Sequence, residues 1–341
     1  MKPDEELQRK LRRDIEACDV EHPIFEEHAR VLKQCIEDAL AGYAPKVTRV
    51  PGPSGVGKST LIARLMRDYP QTRANGRLRA PVLVVEVPQF ASAKQLPFSV
   101  LQALGLQVTH TMTVGSMFEL MKKQLELAGT RVVIFDEISH LVDEGSRVPP
   151  RAASDWLKTL VDKANVSLIV FGIPRLERLF SANEQLRRRS RPARMFLPYD
   201  ASDATQMNDY IACVKTYVLV FEAAGYPISM PFPVLVQQSY LLTGGLIGVL
   251  SDFMRELARH AARDKPRAIT YADCQRVLDE VSHAGSPHLL AFQDSAGVAE
   301  EWRQGEGEMV EVSPAALKQA YVHVLKSNSA SVPIRKKSGD K

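Results

Sequence analysis

The chain has 341 residues, 45% apolar and 25% charged, a balance that excludes wholesale disorder and, at roughly 150 residues per domain, predicts about two structural units. Its net charge of +4 is too small at this length to imply nucleic acid by itself, but the charge is uneven, with seven basic and eleven acidic side chains in residues 1–40. Cys18, Cys35, Cys213 and Cys274 include no C-x-x-C pair, which argues against zinc and predicts buried, reduced thiols. No apolar run reaches the roughly 18 residues of a membrane span, and the charged start MKPDEELQRK lacks the apolar core of a secretory signal; a cytoplasmic protein with no membrane partner is expected.

In chain order, residues 24–41 read as an amphipathic helix, with Val31, Leu32, Cys35, Ile36, Ala39 and Leu40 on one face and Gly42 and Pro45 ending it. Short apolar runs follow at Lys46–Val50, Pro81–Val87, Arg131–Phe135 and Val166–Phe171, with a possible fifth strand at Met195–Leu197. Such continuous apolar runs fit strands buried on both faces of a parallel sheet. Helical patterns at 58–68, 97–104, 115–128 and 151–164 fill the gaps. The alternation predicts an α/β unit over 46–200 with helices on both faces of the sheet. From 201 to 285 the pattern is helical: 203–224, then 246–261, then a helix starting at Thr270 with Asp273 in a capping-box-like pair. Residues 1–45 read as an N-terminal helical extension, and 286–341 as a largely flexible one with a short helix near 314–326.

Residues 52–59, GPSGVGKS, are a complete G-x-x-x-x-G-K-S between a predicted strand and a predicted helix. The expected nucleotide contacts are Gly52, Pro53, Ser54, Gly55, Val56, Gly57, Lys58, Ser59 and Thr60. Glycines let successive N–H groups face the phosphates, Lys58 brings a positive charge to the β- and γ-phosphates, and Ser59 offers a hydroxyl to Mg²⁺. The second half is VVIFDE, Val132–Glu137: a buried strand ending in two carboxylates at the edge where α/β sheets bind ligands. Asp136 is expected to hold Mg²⁺ through water, and Glu137 to polarise the attacking water as general base. Together the motifs predict a P-loop NTPase; with no N-K-x-D, ATP is favoured over GTP, and with no LSGGQ-like segment a transporter ATPase is disfavoured.

Beyond the strand 166–171 lie Gly172-Ile173-Pro174 and then five arginines within 187–194. Such a cluster is either a solvated basic face or the source of an arginine that reaches a neighbouring subunit's γ-phosphate. His140 reads as a surface or packing residue, and Trp156 and Trp302 carry no assigned role.

The phosphate loop, VVIFDE and the stretch FGIPRLERLFSANEQLRRRSRPARMFLPY resemble the AAA+ ATPases of the TniB/TnsC type, transposition proteins that link target selection to the transposase. Gln185, Leu186, Arg189, Pro192 and Leu197 fit the family pattern, and TGGLIGVLSDFMREL resembles its lid-helix start. The resemblance covers about residues 22–285. It implies an AAA+ core with a small helical lid, ATP and Mg²⁺ as cofactors, and ATP-dependent self-assembly on duplex DNA as a ring or filament. It further implies as partners a transposase and a target-selection protein or RNA-guided complex. It makes Arg189 the trans arginine finger, with Arg188 and Arg191 as alternates. It places sequence-independent DNA contacts in 88–128, at Lys94, Thr111 and Thr113. Two departures, an apolar Ile173 at the polar sensor position and no Arg or Lys in 240–254, imply slow, regulatory hydrolysis. An ATP-binding scaffold with negligible turnover and a helicase-loader-like protein are the alternatives.

Overall fold

A computed structural model describes residues 3–18, 20, 22–89, 92, 94–108, 112–143, 146, 148–281, 291–292 and 312–329. In chain order the elements are α1 (Pro3–Glu16), α2 (Pro23–Leu40), β1 (Val47–Pro51), α3 (Lys58–Asp68), β2 (Thr72–Ala74), β3 (Arg77–Arg79), β4 (Val82–Glu86), α4 (Gln95–Ala103), α5 (Val114–Ala128), β5 (Val132–Asp136), α6 (Pro150–Lys163), β6 (Ser167–Gly172), α7 (Glu177–Ser181), α8 (Glu184–Arg188), α9 (Ala204–Ala223), α10 (Phe232–Thr243), α11 (Ile247–Ala261), α12 (Tyr271–Val281) and α13 (Pro314–Ser329). Among these residues the chain divides into two units. The α/β unit holds 24–54 and 58–196; the helical unit holds 3–23, 55–57 and 197–328.

In the α/β unit four parallel strands lie in the order β1-β6-β5-β4. The expected burial on both faces holds: Val132, Val133, Ile134 and Phe135 are all buried, as are Leu168, Ile169, Val170 and Phe171. Met117, Met121 and Leu125 of α5 and Leu157 and Leu160 of α6 join Leu83, Val85, Val133 and Phe135 in one core, with Trp156 edge-on to Phe135. Full burial of each such side chain contributes roughly 1.5–3 kcal/mol, which is why the apolar runs dictate the sheet. The parallel register brings Glu86 level with Asp136, and Pro51 level with Gly172, so strands of different sequence position end at one edge.

The fifth strand did not form at Met195–Leu197. The segment does run beside β1: Arg191, Arg194 and Phe196 donate their N–H groups to Val47, Arg49 and Pro51. Pro192 and Pro198 have no N–H, and the uneven spacing of 191, 194 and 196 breaks the ladder. The hairpin β2–β3 was not anticipated, although its signal was present: Asn75-Gly76, both at positive φ, is the favoured two-residue hairpin turn.

In the helical unit one helix was not expected, and another was expected only as part of a helical extension over 1–45. Helix α10 buries Val234, Leu235, Val236, Ser239, Tyr240, Leu241, Leu242 and Thr243, so its sequence has no polar stripe. Helix α1 is mostly charged and buries only Leu11 and Ile15, one turn apart. Its polar side chains satisfy chain ends: Lys10 Nζ donates to the Ala223 carbonyl (2.7 Å) at the end of α9, Arg12 to Ala262 after α11, and Gln8 to Asp264. Such carbonyls lack intrahelical partners. The N-terminal stretch expected as one extension over 1–45 is therefore divided, with residues 3–23 in the helical unit and 24–45 in the α/β unit.

A buried polar network organises the helical unit. The Tyr210 hydroxyl meets Thr243 (2.9 Å) and Ser239 (3.4 Å), while the Tyr240 hydroxyl donates to the Tyr199 carbonyl (2.6 Å) and accepts from Ala201 N–H (2.9 Å). The turn Thr243–Gly248 is pressed on three sides by backbone or helix. A Cβ on Gly244 would meet Ala320 and Val324 of α13, one on Gly245 would overlap the Tyr199 carbonyl, and one on Gly248 would overlap the Gly55 carbonyl. Helix α13 buries Ala320 and Val324 here; it exceeds the expected 314–326, and the rest of 286–341, apart from 291–292 and 312–313, lies outside the described residues, Trp302 included. The capping pair at α12 formed, with Thr270 N–H donating to Asp273 (2.9 Å). Cys35, Cys213 and Cys274 are buried and Cys18 half-buried, all as free thiols. No single described helix is long and apolar enough to cross a membrane.

Candidate functional site

The phosphate loop leaves β1 at Pro51, and Gly52 N–H donates to the Gly172 carbonyl (3.0 Å), fixing the loop's start against the end of β6. Lys58 opens α3 with its side chain 5% exposed. Its Nζ donates to the carbonyls of Gly52 (2.9 Å) and Pro53 (2.8 Å), and lies 4.0 Å from Glu137 Oε1. Burial pulls the ammonium pKa down, against the opposing pull of Glu137 and Asp136. The neighbouring Ser59 and Thr60 are exposed in the first turn of α3. The loop tip belongs with the helical unit, where the Gly55 carbonyl accepts from Gly248 N–H (2.9 Å).

β5 delivers Asp136 and Glu137 to the same edge. Asp136 Oδ1 accepts the Glu137 N–H (2.9 Å). Its carboxyl pKa is raised, first by burial, then by the Glu137 charge, with Glu86 adding to the effect. A divalent cation held by Asp136 and the Ser59 hydroxyl would relieve that repulsion, so the donor set, hard oxygens beside neighbouring carboxylates, fits Mg²⁺. Glu137 adopts φ +50°, the left-handed region that non-glycine residues avoid. Strain of this kind costs on the order of 1–3 kcal/mol and concentrates at functional sites. After it comes a 3₁₀ turn, Ile138–Val142. Ser139, 1% exposed in that turn, lies between strand ends: its hydroxyl accepts from Ile173 N–H (3.3 Å) and donates to Glu137 Oε2 (3.4 Å). His140 pairs with Asp143 (2.9 Å), and Asp143 also pairs with Arg175 (2.7 Å), tying the turn to the segment after β6.

Lys58, Asp136 and Glu137 thus come together within the α/β unit. Arg189 ends α8, away from these groups in sequence, and its guanidinium is paired with Asp162 (2.9 Å) while the side chain stays about half exposed. Of the two alternates, Arg188 pairs with Glu184 and Arg191 with Asp38; Arg194 pairs with Glu27. Among the described residues Arg187 is exposed and in no ion pair. Lys94 precedes α4 and lines a cavity of about 650 Å³ with Glu86, Ser92, Gln95, Phe98 and Gln102. Thr113 caps α5, its hydroxyl accepting from Ser116 N–H (3.1 Å). Thr111 lies outside the described residues. Sequence reasoning missed Ser139 and the Asp143–Arg175 pair. The one available signal for Ser139 was the apolar Ile173, which leaves the polar partner of Glu137 to be found elsewhere.

The profile of the bacterial TniB proteins matches residues 22–197, more than half of the chain, from the start of α2 through the phosphate loop, the acidic strand and the arginine cluster. The chain belongs to the TniB family. Solved structures similar to this TniB protein include Cdc6p from Pyrobaculum aerophilum (TM-score 0.59, 11% identity, covering 90% of this chain and 81% of that one). The Aeropyrum pernix ORC2 protein, solved as ADPNP-ADP complexes, gives TM-score 0.56 at 13% identity over 93% and 90% of the two chains. The Aeropyrum pernix ORC1 protein, solved in complex with DNA, gives 0.50 at 20% identity over 89% and 83%. At these identities the likeness establishes the fold, that of a P-loop AAA+ protein with a helical domain. No curated protein matches this TniB chain.

Proposed function

We propose that this TniB protein is an ATPase that assembles with ATP and Mg²⁺ on duplex DNA and regulates transposition, linking a target-selection factor to the transposase. The observation that carries the reading is the TniB match over a segment that holds Lys58, Asp136 and Glu137 at one sheet edge. Gly52–Thr60 bind the triphosphate. Lys58 exchanges the Gly52 and Pro53 carbonyls for phosphate oxygens, a stronger charge-assisted contact. Ser59 and Asp136 would hold Mg²⁺, which supplies neutralisation of phosphate charge. Glu137 takes the proton of the water that attacks the γ-phosphorus while the bond from that phosphorus to the β–γ bridging oxygen breaks and ADP leaves. Arg189, released from Asp162, reaches a neighbouring subunit's phosphate, and Arg187 needs no such release. Lys94, Thr111 and Thr113 meet DNA phosphates, independent of base sequence and weakened by salt.

Sedimentation with ATP and duplex DNA tests the scheme. ATP-dependent assembly by wild type, lost or weakened in Arg189→Ala, is the expected result; assembly that ignores ATP, or an Arg189→Ala protein that assembles and hydrolyses normally, refutes the roles given. Ile173 favours a second reading, an ATP-binding scaffold with negligible turnover. Under it Glu137→Gln changes nothing; under the first it traps the ATP-bound assembly and abolishes phosphate release.

A further inference from the structure

From the geometry around β5 and β6 we infer that Ser139 is the positioning residue for Glu137, doing from the acidic strand's own turn what a polar side chain at 173 would do from the neighbouring strand. The inference rests on the hydrolytic role given to Glu137 above. A water-activating carboxylate needs a fixed direction, because a misplacement of about 1 Å can cost about a hundredfold in rate. Position 173 offers only an apolar side chain, yet its backbone N–H remains at the site. Ser139 uses it. The hydroxyl accepts from Ile173 N–H (3.3 Å), which orients the hydroxyl proton toward Glu137 Oε2 (3.4 Å). One oxygen therefore joins the end of β6 to the carboxylate that ends β5.

Three further observations support the assignment. The hydroxyl sits at a residue only 1% exposed, and its recorded partners are these two groups. The neighbouring backbone is built to admit it: a Cβ on Gly172 would stand 2.9 Å from Ser139 Oγ and 3.1 Å from Ser139 N, so any side chain at 172 would push the hydroxyl aside. The other Glu137 oxygen, Oε1, lies 4.0 Å from Lys58 Nζ, so the carboxylate is held from both ends, by a cation on one side and a hydroxyl donor on the other. When Lys58 turns to phosphate, Ser139 is the remaining side-chain partner of the carboxylate among these contacts. Glu137 in the left-handed region gains from such a tether, since its backbone geometry is otherwise disfavoured.

The test is steady-state ATP hydrolysis by the full chain with Mg²⁺ and duplex DNA, for Ser139→Ala, Glu137→Gln and the double variant, with thermal melting alongside. We expect Ser139→Ala to lower kcat about tenfold and leave KM for ATP within about twofold, with an unchanged melting midpoint. In the Glu137→Gln background the same change should do nothing further, because the group it positions has lost its function. A Ser139→Ala protein with wild-type kcat beside an inactive Glu137→Gln overturns this inference alone. So does a raised KM with a lowered midpoint, which marks a structural role. A Glu137→Gln protein that turns over at the wild-type rate overturns the hydrolytic role of Glu137 and this inference with it.

Discussion

Two desolvated aspartates, one in each unit, have been pushed in opposite directions. In the α/β unit Asp136 is raised above the ordinary carboxylate range by burial and by Glu137 beside it. In the helical unit Asp273 is also penalised by burial, yet it ends below that range, because Arg267 grips both its oxygens (2.7 and 2.8 Å) and Thr270 donates to it. The same cost of desolvation is compensated in one unit and left standing in the other. In the helical unit the buried Tyr210, Thr243 and Ser239 satisfy one another and specify the local packing. At the phosphate-loop edge the buried Lys58 and the half-buried Asp136 both keep pKa values displaced against their charged forms.

The contrast can be broken most forcefully at Lys58. Lys58→Ala should weaken ATP binding about a hundredfold or more while leaving the apo fold intact, measured by titration with a fluorescent ATP analogue and by melting. The helical unit should respond in the opposite manner. Gly245→Ala forces a Cβ into the Tyr199 carbonyl and should destabilise by about 3 kcal/mol in urea titrations. Asp273→Asn should cost about 2 kcal/mol at neutral pH. Because the folded pKa of Asp273 is depressed, its contribution is present above the unfolded carboxylate value and is lost as pH falls through the folded one. The gap between wild type and Asp273→Asn should therefore narrow on acidification, and a gap that is constant with pH refutes the ion-pair account. The smallest effect belongs to Asp136→Asn. A raised folded pKa means that the charged form opposes folding, so removing the charge should raise the apo melting midpoint by a few degrees, and it should abolish any further rise on adding Mg²⁺ with ATP. A lowered midpoint would mean that Asp136 is satisfied in a way the contrast denies.

Sequence pattern carried the α/β unit further than the helical one, for physical reasons. Runs such as Arg131–Phe135 and Val166–Phe171 are buried on both faces and cannot be read as anything but interior strands once helices alternate with them. The G-x-x-x-x-G-K-S run and the Asp136-Glu137 pair were legible as local motifs, and the fold sets Lys58 Nζ 4.0 Å from Glu137 Oε1. Helix α10 was not visible, since an all-round apolar helix has no period to detect. Helix α1 was expected only as part of a helical extension over 1–45, without bounds of its own: its stabilising groups are lysine, arginine and glutamine side chains aimed at carbonyls more than 200 residues away, a pairing that no local window contains. Ser139 falls in the same class. A serine after an acidic pair is unremarkable in sequence; one of its partners, Glu137, is local, but the other, Ile173 N–H, comes from the segment that follows β6.

The segment after α8 has a mechanical consequence. The Arg189 carbonyl accepts Val47 N–H, Arg191 N–H returns to the Val47 carbonyl, and Phe196 N–H holds Pro51, the residue before Gly52. The arginine cluster is thus stapled to the strand that feeds the phosphate loop. A pull on the Arg189 backbone would load β1 through the bonds to Val47 as well as α8 through the bonds to Gln185 and Leu186. The arginine cluster and the phosphate loop are therefore linked by backbone hydrogen bonds along one five-residue strand.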